Sequence, residues 1–186
     1  MFPAPFRVVV DACVLIPLTL CDTLLRAANA NLFQLYWSAE ILEETRRNLV
    51  AKIGLSEDNA ARRCDFMRTY FREAMVTDYE PYIDAMKNDP KDRHVAAAAL
   101  KAGAQVIVTN NLRDFHDLPD GIEAQSPDEF LCNLFGLAPN RTTELIRQQA
   151  AALKRPPVTF EHVLGGLAKT VPRFAACVER HARENN

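Results

Sequence analysis

An α/β fold with a mostly parallel central sheet is predicted for this 186-residue chain from three observations. Two β-branched runs, at residues 7–11 and 105–108, carry no polar alternation, as strands buried on both faces require. Stretches of helical periodicity lie between the strands, and parallel neighbours need crossovers of that kind. A hydrophobic fraction of 48% with 25% charged residues then suits a chain that buries an ordinary core.

The elements follow in order. The run Arg7-Val8-Val9-Val10-Asp11 forms the first strand, a helix spans 19–30, and a second strand spans 34–38. Ser38 as N-cap and Gly54 as C-terminal stop bracket a helix over 39–52. Ser56-Glu57-Asp58 opens another, drawn over 56–75 on its apolar stripe. After a loop rich in Pro and Asp, Asn88-Asp89-Pro90 starts a helix that runs through Lys101 and ends at Gly103. A third strand follows at 105–108 and a short fourth at 122–125. From Ser126 the pattern is helical throughout, at 126–135, 143–154, 159–169 and 172–183. The expected architecture is an α/β/α sandwich over residues 1–125 with a helical extension over 126–186. Apolar positions such as Leu131, Leu134, Ile146, Leu164 and Phe174 require the extension to pack on the α/β body, on itself or on a partner.

Composition removes several classes. A net charge of -2 supplies no global basic field, so a polyanion would need a local basic patch or a bound metal. No uncharged stretch approaches the roughly 20 apolar residues of a membrane span, and the N-terminus has no secretory pattern, so a cytoplasmic location is expected. The five cysteines are scattered without a Cys-x-x-Cys, which indicates neither a disulfide framework nor a zinc knuckle. There is no Gly-rich phosphate loop and no Gly-x-Ser-x-Gly elbow.

In an open parallel sheet, ligands bind beyond the carboxyl ends of the strands, so the polar residues after each strand are the informative ones. Asp11 ends the first strand, Glu44 lies early in the helix after the second, Asp92 opens the helix before the third, and Asp114 follows the third through Thr109-Asn110-Asn111. Three of these acids also have a plain structural use: Asp11 and Asp92 at helix N-termini, Asp114 in a turn. Helical phase sharpens two of them. Glu44 flanks the Ile41, Leu42, Thr45 and Leu49 stripe, with Glu40 one turn earlier as second choice, and Asp92 shares its stripe with Val95, Ala96 and Ala99. No Lys or Arg lies on that stripe, so converging acids would raise one another's pKa unless a cation joined them. Oxygen ligands select Mg²⁺ or Mn²⁺ over zinc, and such ions suit phosphodiester hydrolysis.

The segments Val8-Val9-Val10-Asp11-Ala12, Ser38-Ala39-Glu40-Ile41-Leu42-Glu43-Glu44-Thr45, Asp89-Pro90-Lys91-Asp92-Arg93-His94-Val95-Ala96 and Val108-Thr109-Asn110-Asn111-Leu112-Arg113-Asp114-Phe115, in that order and spacing, resemble PIN-domain nucleases. Within that family they are most similar to VapC-type toxins of bacterial toxin-antitoxin pairs. The resemblance implies an Mg²⁺- or Mn²⁺-dependent endoribonuclease with RNA as substrate, a small antitoxin as partner and a homodimer. Asp11, Glu44, Asp92 and Asp114 match its acidic positions; Asn111 stands where many relatives carry Asp, and Thr109 matches a supporting hydroxyl. Lys91, Arg93, His94 and Arg113 flank the acids and are candidate RNA contacts, with His94 phased away from the apolar stripe. Three alternatives stay open. A haloacid-dehalogenase-like phosphatase would want a second acid where Cys13 stands, a non-catalytic scaffold would be expected to lack acids, and a housekeeping RNA-processing enzyme would have no antitoxin.

Overall fold

The computed structural model describes residues 6–154 and 156–185. Two compact units make up the chain: Met1–Ile16 with Phe33–Gln125, and Pro17–Leu32 with Ser126–Asn186.

The first unit is built on a five-stranded sheet in the order β3-β2-β1-β4-β5. Its strands are β1 (Arg7–Val10), β2 (Gln34–Ser38), β3 (Met75–Val76), β4 (Val106–Val108) and β5 (Glu123–Gln125), and every neighbouring pair is parallel. Val9 stands opposite Tyr36 on one side and Ile107 on the other. Burial of Val8, Val9, Val10, Ile107 and Val108 to zero exposure explains why these strands show no alternation. Around the sheet lie the short helix α1 (Ala12–Leu15), α3 (Ala39–Ile53), α4 (Glu57–Tyr70) and α5 (Arg93–Ala102), while α2 (Leu18–Asn29) belongs to the second unit. The Ser38 Oγ accepts the Ile41 N–H at 3.2 Å and starts α3. At the other ends of α3 and α5, Gly54 (φ 76°) and Gly103 (φ 62°) take the left-handed conformation and turn their N–H groups back onto Val50 and Leu100.

Two local expectations change. The helix drawn over 56–75 stops at Tyr70; Phe71 leaves helical geometry, Arg72–Ala74 form a 3-10 turn, and Met75–Val76 become the edge strand β3 beside Trp37 and Ser38. A two-residue strand is too short to show alternation. Helix α5 starts at Arg93, because Pro90–Asp92 form a separate 3-10 turn that leaves Asp92 just ahead of the helix instead of within its first turn.

The second unit is all helical: α2 joins α6 (Pro127–Leu137), α7 (Pro139–Ala152), α8 (Phe160–Ala168) and α9 (Pro172–Glu184). Helix α9 packs on α6, α7 and α8, and α2 packs on α7 and α8. Leu20, Leu24, Phe130, Ile146, Leu167, Phe174 and Val178 fill its interior. The Thr23 hydroxyl donates to the buried Gln149 Oε1 at 2.8 Å, and the two Asp128 carboxylate oxygens cap α9 by accepting from Phe174 and Arg173. One boundary between the units falls after Gln125. Residues 17–32, expected in the α/β domain on chain order, lie instead with the tail helices, because the apolar face of α2 is matched by α7 and α8. Among the described residues, no helix is long and apolar enough to cross a membrane.

Candidate active site

The order of the strands reverses at β1 and β4: the chain leaves β1 for β2 and β3, then returns to β4 and β5. The carboxyl ends of β1 and β4 are therefore where a ligand crevice is expected. Asp11 sits directly at that point, with its N–H bonded to the Val108 carbonyl at 3.0 Å and only 3% of its surface exposed. It occupies the N-cap position of α1 but makes no side-chain capping bond. Instead its Oδ2 accepts from the Thr109 hydroxyl at 2.7 Å and from the Cys13 thiol at 3.1 Å. The Thr109 oxygen in turn accepts the Asn111 N–H at 3.0 Å, which ties the loop after β4 to the same carboxylate.

Cys13, one of the five scattered cysteines, belongs to this network. Burial above all, and then the Asp11 charge, push its thiol up to about 12, so it stays protonated and keeps donating. The only sequence signal was its place two residues after Asp11. Alkylation by iodoacetamide at pH 8, followed by mass spectrometry, should find Cys13 nearly unmodified in the native protein and fully modified after denaturation. Rapid native labelling would contradict the part-buried, protonated thiol.

Asp92 is buried, 8% exposed, and its Oδ2 has no hydrogen-bond partner. Burial and then the charges of Asp11 and Asp114 push its carboxyl up to about 6, with Glu44 adding to the rise. Asp11, Glu44 and Asp114 thus all bear on Asp92. Asp114 lies in the 3-10 turn Leu112–Phe115, and the Asp89 N–H, bonded to the Asp114 carbonyl at 3.0 Å, fastens that turn to the loop before α5.

Two expectations about the flanking residues need correction. The acids are not without a cation: Lys91 Nζ stands 3.6 Å from Asp114 Oδ2 and 3.8 Å from Asp89 Oδ1, because the fastened loops bring these side chains together. That contact is solvent-exposed and does little to neutralise the cluster. Arg93, a candidate RNA contact, donates through its Nε to the Asn88 carbonyl at 3.2 Å. His94, expected to turn away, is 7% exposed, with ring nitrogens 3.7 and 3.8 Å from Glu40 and Glu44. The phase reading assumed a helix with one apolar face, whereas every residue from His94 to Ala99 is buried. Arg113 is exposed on its turn, and Asn111 is exposed at the rim.

Glu40, Glu44, Asp92, His94 and Asn111 line a cleft of about 420 Å³ together with Arg47 and Lys91. Among the described residues, no three His, Cys, Asp or Glu side chains already stand close enough to hold an ion. The donor set nevertheless fits a hard divalent cation. The acids supply oxygen ligands, and the unpaired, buried Asp92 Oδ2 is the atom such an ion would satisfy.

Comparison with known proteins gives two family matches: residues 7–113 match the PIN domain and residues 127–180 match the VapC50 C-terminal domain. A curated relative from Mycobacterium tuberculosis, named "Putative ribonuclease VapC50", is 41% identical over 110 residues, covering 58% of this chain and 65% of that protein. The match thus spans just under two thirds of the relative's own length. No solved structure matches.

Proposed function

The chain belongs to the PIN-domain family, and on that premise we propose that it is a metal-dependent endoribonuclease and the toxin of a toxin-antitoxin pair. The observation that carries this reading is the buried, unpartnered Asp92 carboxylate beside three further acids. The VapC50-type C-terminal match supports the toxin assignment.

In this reading Asp11, Asp92 and Asp114 hold Mg²⁺ or Mn²⁺, with Glu44 completing the acidic set. Thr109 and Cys13 both donate to Asp11 Oδ2, which fixes that carboxylate and leaves Oδ1 for a cation. Asn111 contributes at most a neutral amide oxygen. When bound, the ion supplies charge stabilisation at the phosphodiester and a more acidic water. Lys91 and Arg113, both exposed, meet RNA phosphates at the rim. The antitoxin covers the same carboxylates with an Arg or Lys, forming charge-assisted hydrogen bonds where the cation would sit.

The test is cleavage of total RNA by the purified full chain in Mn²⁺ or Mg²⁺, in chelator, and with Asp11→Asn. Several kcal/mol of ion-derived stabilisation corresponds to a loss of about 10³-fold in chelator or in the variant. Cleavage at the full rate in excess chelator would overturn the reading.

A further inference from the structure

We propose that His94 is a positioning residue that holds Glu44 for the cation through a chain of polar side chains running Tyr79–Glu40–His94–Glu44; this rests on the reading of the site given above. Glu40 and Glu44 are one turn apart on α3, so their carboxylates stand next to one another and repel. The His94 ring, carried by α5, reaches both. Nε2 lies 3.8 Å from Glu44 Oε2, and Nδ1 lies 3.7 Å from Glu40 Oε2. Nδ1 is buried and has no hydrogen-bond partner. On the far side of Glu40, the buried Tyr79 hydroxyl donates to the same Oε2 at 3.2 Å.

A packing histidine is usually satisfied by a backbone carbonyl or a hydroxyl. Here both ring nitrogens instead face carboxylates, at distances longer than a hydrogen bond, in the wall of the cleft that also holds Asp92. A modest rotation of Glu44 would close the gap. Its side chain is one-third exposed and otherwise free to sample rotamers, so a ring N–H aimed at Oε2 limits the orientations that must be lost when an ion is held. Tyr79 and Glu40 steady the ring from the opposite side. His94 touches neither RNA nor ion in this arrangement; it acts through Glu44.

Mn²⁺ binding to the full chain without RNA, followed by the loss of the free-ion electron paramagnetic resonance signal, gives a readout independent of catalysis. His94→Phe should weaken binding by about 10- to 100-fold, and His94→Gln, whose amide can still donate to Glu44, should recover part of the loss. Tyr79→Phe should weaken binding less. In a Glu44→Ala background, His94→Phe should add nothing beyond the about twofold scatter of independent sites. Circular dichroism checks that each variant is folded, and His94→Gln carries the test if His94→Phe is not. Wild-type affinity in folded His94→Phe and His94→Gln, or an equal loss with and without Glu44, overturns the positioning role. Failure of the wild-type chain to bind Mn²⁺ overturns the cation reading itself, and this inference with it.

Discussion

Asp92→Asn is expected to make the metal-free protein more stable at neutral pH while abolishing RNA cleavage. The Asp92 carboxyl is pushed from an ordinary value of 3.8 up to about 6, first by burial and then by Asp11 and Asp114. Between those two values the folded chain keeps a proton that the unfolded chain has released. The group therefore supports folding fully below about pH 4, and this support fades as pH rises through 6. Above that, the ionised carboxylate is a net cost. A shift of about two units has a ceiling of about 3 kcal/mol, and water reaching the open cleft reduces it to about 1–2 kcal/mol. Asn keeps the shape without the charge, so melting in chelator at pH 7.5 should rise by about 2–6 °C. At pH 4 the advantage should vanish. Adding Mn²⁺ should reverse the ranking, because the ion stabilises the wild-type chain by binding its folded form. A variant that melts below wild type in chelator at pH 7.5 would show that Asp92 is satisfied in the free protein.

What the sequence made legible were features with local causes. β1 and β4 announce themselves through β-branched runs because their side chains are buried on both faces, and α3 is marked at both ends by Ser38 and Gly54. Asp11 and Asp114 follow from the rule that ligands gather at the carboxyl ends of parallel strands. The rest depends on which distant groups meet. A single apolar stripe on α5 would turn His94 outward, whereas that helix is enclosed from His94 through Ala99. Glu40 ranked behind Glu44 by phase, yet Tyr79, 39 positions further on, gives it a partner. The reach of Lys91 to Asp114 depends on a backbone bond between two loops. β3 is a two-residue edge with no pattern of its own, visible only by its pairing with Trp37 and Ser38. In each case the missing information was tertiary, and no window of adjacent residues carries it.

The placement of α2 leads to the other large effect. A chain ending at Gln125 retains every acid of the candidate site, yet it should be insoluble or far less stable than the full protein. Helix α2 is covalently inserted between β1 and β2, so truncation cannot remove it along with its helical partners. Its buried residues Leu20, Thr23, Leu24 and Ala27 lie in the unit formed with the tail, where α2 packs on α7 and α8. Without residues 126–186 these side chains return to water. Two fully buried leucines at about 1.5–3 kcal/mol each give roughly 3–6 kcal/mol. Thr23 also loses its buried bond to Gln149, worth about 1 kcal/mol. The sum, about 4–7 kcal/mol, rivals the whole stability of an ordinary domain, about 5–15 kcal/mol. The truncated chain should therefore bind a hydrophobic dye and aggregate on warming, and replacing Leu20 and Leu24 by Ser in that shortened chain should restore solubility. Light scattering and dye fluorescence read both results. A soluble, monomeric 1–125 chain as stable as the full protein would mean that the tail does not cover this face, and the packing argument for α2 would fail.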